Sequence, residues 1–166
     1  MIFTTCIKEH KKNKKKFLKL INDTPNSPVK EGEDIIQKND FYLSSDENKK
    51  YRIDFLKTIE PYLKVMSFKL RSDKCIVHNI WFQQYLKKNT HNWHNHPGCQ
   101  FSNIYYLELP SNEVETEFLD PDKKILIKEG DILTFPSYLY HRSPINLTNK
   151  RKTVIVFNSS FHEFLQ

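Results

Sequence analysis

A chain of 166 residues is long enough for one buried core, and 38% hydrophobic residues with twelve Phe and eight Tyr exclude a disordered polymer. The net charge of +6 comes from 26 Lys and Arg against 20 Asp and Glu, and the excess is local rather than spread through the chain. Three glycines leave no Gly-rich phosphate loop, and three cysteines without paired spacing argue against a disulfide framework or a thiolate zinc site.

The basic excess lies in the run Lys8 to Lys16. Charge runs are usually solvated helix faces, and nucleic-acid contact is a weaker reading of the same run. From Lys11 to Asn22, Phe17, Leu18, Leu20 and Ile21 sit among lysines and predict a short amphipathic helix. The segment Asp23 to Pro28, with two prolines, ends it. From Ser45 to Leu70, Leu56, Ile59, Leu63, Met66 and Leu70 recur at spacings of three and four and predict a second helix. Pro61 lacks an amide hydrogen and crowds the preceding turn, so a kink or restart is expected there.

Beyond Lys74 the apolar period falls to two. Strands are predicted at Cys75 to Tyr85, Phe101 to Leu109, Val114 to Leu119, Ile125 to Lys128, Asp131 to Phe135 and Lys152 to Asn158. Short strands separated by Pro, Asn, Asp and Gly read as an antiparallel sandwich or barrel. The expectation is one α+β domain over residues 1–166, with a helical part at 1–73 packed on a jelly roll at 74–166. No segment reaches about 18 apolar residues and the start shows no leader pattern, so a protein that neither crosses a membrane nor is exported is expected, with a cytoplasmic location.

Within the strand region, His94 and His96 stand two apart, so in extended backbone both imidazoles face one way and can reach one metal ion. His141 follows a turn at Gly130, an apolar strand and a stop at Pro136, which presents a third imidazole at a strand end. Three neutral imidazoles suit Fe(II), Zn(II) or another first-row ion. Arg151, ten residues further on, enters an apolar strand, where an unpaired charge is costly and an acidic partner or ligand is expected. Its guanidinium suits a carboxylate, and Thr153 on the same face adds a hydroxyl. His10, His78, His91 and His162 read as surface or satisfied core residues, with His91 close enough to line the mouth of the site. Trp81 and Trp93 read as core and pocket wall.

Together, Trp81 to Tyr85, His94 to Pro97, Ser102 to Leu107, Glu129 to Ser137, His141 and Arg151 to Thr153 resemble the Fe(II)- and 2-oxoglutarate-dependent oxygenase superfamily. The likeness covers about half the chain and is nearest to prolyl-hydroxylase-like members and to a group common in bacteriophage genomes. The resemblance implies a double-stranded β-helix with His94 and His141 as iron ligands, Arg151 and Thr153 binding the far carboxylate of 2-oxoglutarate, and Tyr85 and Tyr106 beside the cosubstrate. It implies a dioxygenase that uses O2, hydroxylates a peptide, amino acid or small metabolite, and releases succinate and CO2. For a phage-encoded chain the compartment would be the host cytoplasm.

The departure from the family pattern is the acid, because His96 occupies the position of the expected Asp or Glu. A three-histidine site of His94, His96 and His141 is one reading. A site with His96 as first ligand and Gly98 at the acid position is a second, and Glu108, Glu117 or Asp120 substituting for the acid is a third. The spacing from Tyr85 favours the first. Two rival functions remain at this level: a cupin-like metal enzyme without 2-oxoglutarate, and a binding or structural module with vestigial histidines.

Overall fold

The computed structural model describes residues 2–43, 48–111, 115–119 and 125–164. Its elements in chain order are β1 (Phe3–Cys6), α1 (His10–Asn22), β2 (Ser27–Glu31), β3 (Asp34–Asn39), α2 (Arg52–Leu70), β4 (Ser72–Tyr85), β5 (His91–His94), β6 (Phe101–Glu108), β7 (Glu117–Phe118), β8 (Asp131–Pro136), β9 (His141–Ser143) and β10 (Lys152–Phe164). Seven strands form one antiparallel sheet in the order β1-β8-β6-β10-β4-β3-β2, and β5-β9-β7 form a smaller one. This is the α+β jelly roll expected from the alternating strands.

Period-two alternation divides the large sheet into two chemically distinct faces. Ile80, Phe82, Tyr105, Leu107, Ile132, Ile155 and Phe157 point to one side and pack under the helices, together with Phe17, Ile21, Phe55, Ile59, Tyr62 and Met66. Trp81, Tyr85, Ile104, Tyr106, Leu133, Phe135, Val154 and Val156 point to the other side, toward the small sheet. Because the central strands are covered on both faces, their sequences read as nearly continuous apolar runs.

Helix α1 forms where predicted, starting one residue earlier. Helix α2 buries Phe55, Ile59, Tyr62 and Met66, so its stripe is centred one position away from the expected one, with Leu56, Leu63 and Leu70 at the margins. The restart expected at Pro61 does not occur, and α2 runs unbroken from Arg52 to Leu70. One missing backbone bond costs less than the packing of Ile59 and Tyr62, on either side of Pro61, contributes.

Other expectations change at the element level. The N-terminal part carries, besides the two helices, β1 at one edge of the large sheet and the β2–β3 hairpin at the other. Residues 125–128 are coil, and only Glu117 and Phe118 of the predicted Val114 to Leu119 strand pair, while Val114 itself lies outside the described residues. Strand β10 extends to Phe164 through a bulge between Phe157 and Ser159. The short strands β5 and β9, which carry two of the three histidines, are too brief to show a period.

Candidate metal centre and the adjoining cavity

Pairing of β5 with β9 places His94 directly opposite His141. The backbone N–H of His96, just past β5, donates to the Ser137 carbonyl at 3.0 Å and ties that loop to the turn before β9. The ligand nitrogens of His94, His96 and His141 all lie within 4.8 Å of one another. His94 Nδ1 bonds the Asn92 carbonyl at 2.7 Å, and His141 Nδ1 bonds the Leu139 carbonyl at 3.0 Å. Since a carbonyl only accepts, Nδ1 carries the proton in both rings and each Nε2 is left with a free lone pair, the form a metal requires.

Burial keeps the cluster uncharged. It lowers His141 to about 2, with the neighbouring His94 adding to the effect, and lowers His96 to about 4 with His94 again contributing. His94 is lowered by burial too, partly opposed by the Asn92 carbonyl and Asp34. Three neutral imidazoles at neutral pH therefore fit a first-row divalent ion. Among the described residues the group contains no carboxylate. Glu108 is engaged by Arg151 and Thr153, Glu117 pairs with Arg142 at the surface, and Asp120 lies outside the described residues.

His91, expected only at the mouth, stacks on His94 with ring centroids 3.8 Å apart, and burial lowers it to about 3. Trp81 flanks His96 at 5.5 Å. Both roles were legible in part, since the sequence marks Trp81 as core or pocket wall and His91 as close to the site.

The cosubstrate residues fall into two places. Arg151 and Thr153 share a face, as alternation requires, but that face meets Glu108. Arg151 Nε and one terminal nitrogen bond the two Glu108 oxygens at 2.7 and 3.1 Å, and Thr153 Oγ1 donates to the same carboxylate. Arg151 lines a shallow surface depression with Lys14, Glu129 and Lys150, away from the histidines. Lys152, one residue on, points the other way into the cavity that His91, His94, His96 and His141 also line. The sequence-level argument that an Arg entering this strand needs an acidic partner is thus met by Glu108 of the chain itself.

Lys152 is fully buried. Its Nζ donates to Ser143 Oγ at 2.7 Å and sits over the rings of Tyr85 and Tyr106 at 5.2 and 5.7 Å. Burial depresses its ammonium to about 7, against the opposing pull of Glu115 and Glu117. Tyr85 lines the same cavity and donates to Gln83 Oε1 at 2.8 Å. Tyr106 stands behind it, its hydroxyl bonded to Thr116 Oγ1 at 2.6 Å. Nothing in the strand pattern distinguished Lys152 from a wet lysine, although its position two residues before Val154 and four before Val156 puts it on their face.

The cavity measures about 30 Å³, and a wider groove of about 360 Å³ adjoins it through the shared Trp81, Gln83, His91, His94 and His96. No helix among the described residues is long and apolar enough to cross a membrane.

No protein-family model and no curated protein matches the sequence. Solved structures match its fold. An oxidoreductase of the 2OG-Fe(II) oxygenase family from Burkholderia pseudomallei superposes with a TM-score of 0.76 at 14% identity, covering 97% of this chain and 86% of that one. HygX from Streptomyces hygroscopicus, with nickel and 2-oxoglutarate bound, gives a TM-score of 0.70 at 10% identity over 96% of this chain and 82% of its own. The viral collagen prolyl hydroxylase vCPH from Paramecium Bursaria Chlorella virus-1, in its 2OG complex, gives 0.60 at 13% identity over 98% of this chain and 96% of its own. The chain therefore has the double-stranded β-helix fold of the 2OG-Fe(II) oxygenases, prolyl hydroxylases among them, with a three-histidine cluster able to hold a metal ion.

Proposed function

We propose that this protein is an Fe(II)- and 2-oxoglutarate-dependent dioxygenase in which His94, His96 and His141 hold the metal and Lys152, in place of Arg151, holds the far carboxylate of the cosubstrate. The observation that carries this reading is a fully buried ammonium lining the same cavity as three converging neutral imidazoles. A cation in the wall of the cavity stands where a dicarboxylate chelating the metal at one end would present its other end. The 2-oxoglutarate bound in vCPH and HygX supports the choice of dicarboxylate.

Iron and 2-oxoglutarate together supply the oxidising power, with O2, for hydroxylating a C–H bond, releasing succinate and CO2. The chain's own part is positional. The Asn92 and Leu139 carbonyls fix the tautomers of His94 and His141. Ser143 and the rings of Tyr85 and Tyr106 fix the Lys152 ammonium, and an anion placed there would raise its pKa and keep it charged. Phe118 and Phe135 pack against His141 and help keep bulk water from that side. Neighbouring folds take a peptide fragment in a Trichoplax adhaerens prolyl hydroxylase and hygromycin B in HygX, so a peptide or a small molecule is the substrate class consistent with this architecture.

Anaerobic addition of Fe(II) and then 2-oxoglutarate should produce the visible charge-transfer band of a chelated 2-oxo acid. Lys152→Met should weaken 2-oxoglutarate binding by about 2–5 kcal/mol, the range for removing one partner of a buried charge pair. Arg151→Gln should leave that affinity unchanged. The reverse pattern would return the anchor to Arg151, and turnover without any need for 2-oxoglutarate would favour the cupin-like alternative.

A further inference from the structure

The groove beside the histidines has a chemistry of its own. It is walled by the β2–β3 hairpin, by Phe41 and Tyr42 after it, by Trp81 and Gln83 of β4, and by the loop carrying His96. The chain is strongly basic, with a net charge of +6, yet among the described residues the charged ones lining this groove are the acids Glu31 and Asp34. These two are Cα partners at the end of the hairpin, so their side chains leave it on the same face. Like charges directly opposite across a strand pair destabilise it, and a cation between them would remove that cost.

A second observation is independent of the acids. Asn158, 7% exposed at the β10 bulge, lines the same groove, and its buried Oδ1 accepts no hydrogen bond among the described residues. Leaving a buried acceptor unmet costs about 1–3 kcal/mol, so a hydrogen-bond donor from outside the chain is the chemistry that fits. Phe41 and Tyr42 add exposed ring surface at 44% and 74% exposure, packed edge to face with one another and, through Phe41, with Trp81. Acids, an unmet acceptor and aromatic faces in one groove describe a site for a protonated amine.

We propose that this groove binds the substrate, a small molecule carrying a protonated amine, with the ammonium held by Glu31, Asp34 and the Phe41 and Tyr42 rings and a further donor group meeting Asn158. The inference rests on the oxygenase reading for the word substrate. The groove's volume of about 360 Å³ suits a ligand of small-molecule size. Asp34 reaches toward the metal site, its Oδ1 accepting from the Asn92 N–H at 2.6 Å and its Oδ2 lying 3.9 Å from His91 Nε2. An amine bound at the hairpin tip would therefore leave the rest of the molecule lying toward His91 and His94.

The test uses the full chain without metal, so that it does not depend on iron or cosubstrate, and reads binding by ligand-observed NMR at low salt. The probes are charged and neutral pairs of similar shape: cadaverine against 1-pentanol, and glucosamine against glucose. At least one amine should bind about tenfold or more tightly than its neutral partner, and Glu31→Gln with Asp34→Asn should abolish that preference. Asn158→Leu should weaken the same amine while the circular dichroism spectrum stays unchanged. No preference for any amine, or a preference that survives the double substitution, overturns the proposal. Amine binding without 2-oxoglutarate decarboxylation in the iron-loaded protein would overturn the oxygenase reading and leave the groove assignment standing. Decarboxylation without amine preference would do the opposite.

Discussion

The two faces of the seven-stranded sheet are built from alternate residues of the same strands, and they behave as different materials. The helix-facing side is a continuous apolar layer in which Phe55, Phe82, Tyr105 and Phe157 are fully buried. One of its polar inclusions, Asn103, is bonded with Tyr62, Thr134 and Ser159 and to the Phe157 carbonyl. The opposite side holds Lys152 and Asn158 among its apolar residues and faces the histidines, and the Asn158 Oδ1 is buried without a hydrogen-bond partner among the described residues. Moving one residue along β10, from Lys152 to Thr153, crosses from one regime to the other. The difference teaches that stability and chemistry are separable here at the level of odd and even positions.

That separation can be broken in graded ways. The largest effect should come from Phe157→Ala, which opens a cavity on the helix side and should cost about 3–5 kcal/mol in urea denaturation, with metal binding by the folded fraction retained. His141→Ala should do the reverse, removing the metal site while leaving the unfolding midpoint of the metal-free chain close to the parent's.

Next, Lys152→Met should flatten the pH dependence of the unliganded chain's stability, because it removes a buried group whose titration differs between the folded and unfolded chain. The sign follows from linkage. The folded pKa of about 7 lies below the unfolded value of about 10.4, so the unfolded chain takes up a proton that the folded chain resists. Stability contributed at this position is full above the unfolded pKa and is lost as pH falls from there toward 7. Thermal melts between pH 7 and 10 should therefore slope upward with pH in the parent and be flatter in the variant. A parent as flat as the variant would mean that Lys152 is not desolvated.

The smallest effect should come from Arg151→Gln, since its pair with Glu108 is partly exposed, at 33% and 18% of the two side chains, and such pairs contribute about 0–1 kcal/mol. A loss of several kcal/mol would mark that pair as an organiser of the register shift between Thr153 and Val154 where β10 pairs with β6.

Much of this organisation was legible before any coordinates. The shift from a helical to a period-two pattern after Lys74 reported the jelly roll, and His94, His96 and His141 were identifiable because strand geometry makes a His-x-His pair point one way. What stayed hidden depended on long-range partners. Arg151 and Lys152 are adjacent cations at a strand start, and only the register with Glu108 and the opposing small sheet determines which one faces inward. The hairpin at 27–39 was missed because its exposed strands carry a polar, weakly alternating pattern. Pro61 misled because a local rule was overridden by tertiary packing along α2.

Both margins of the large sheet are supplied by the first forty residues: β1 zips onto β8, and β2–β3 extends from β4. A chain beginning at Ser72 would retain every histidine of the metal cluster yet leave β8 and β4 with unsatisfied backbone donors and acceptors along their rims. Self-association, more than lost chemistry, is the hazard such a truncation invites, and the N-terminal third acts as a pair of bookends that keeps the barrel from adding strands from its neighbours.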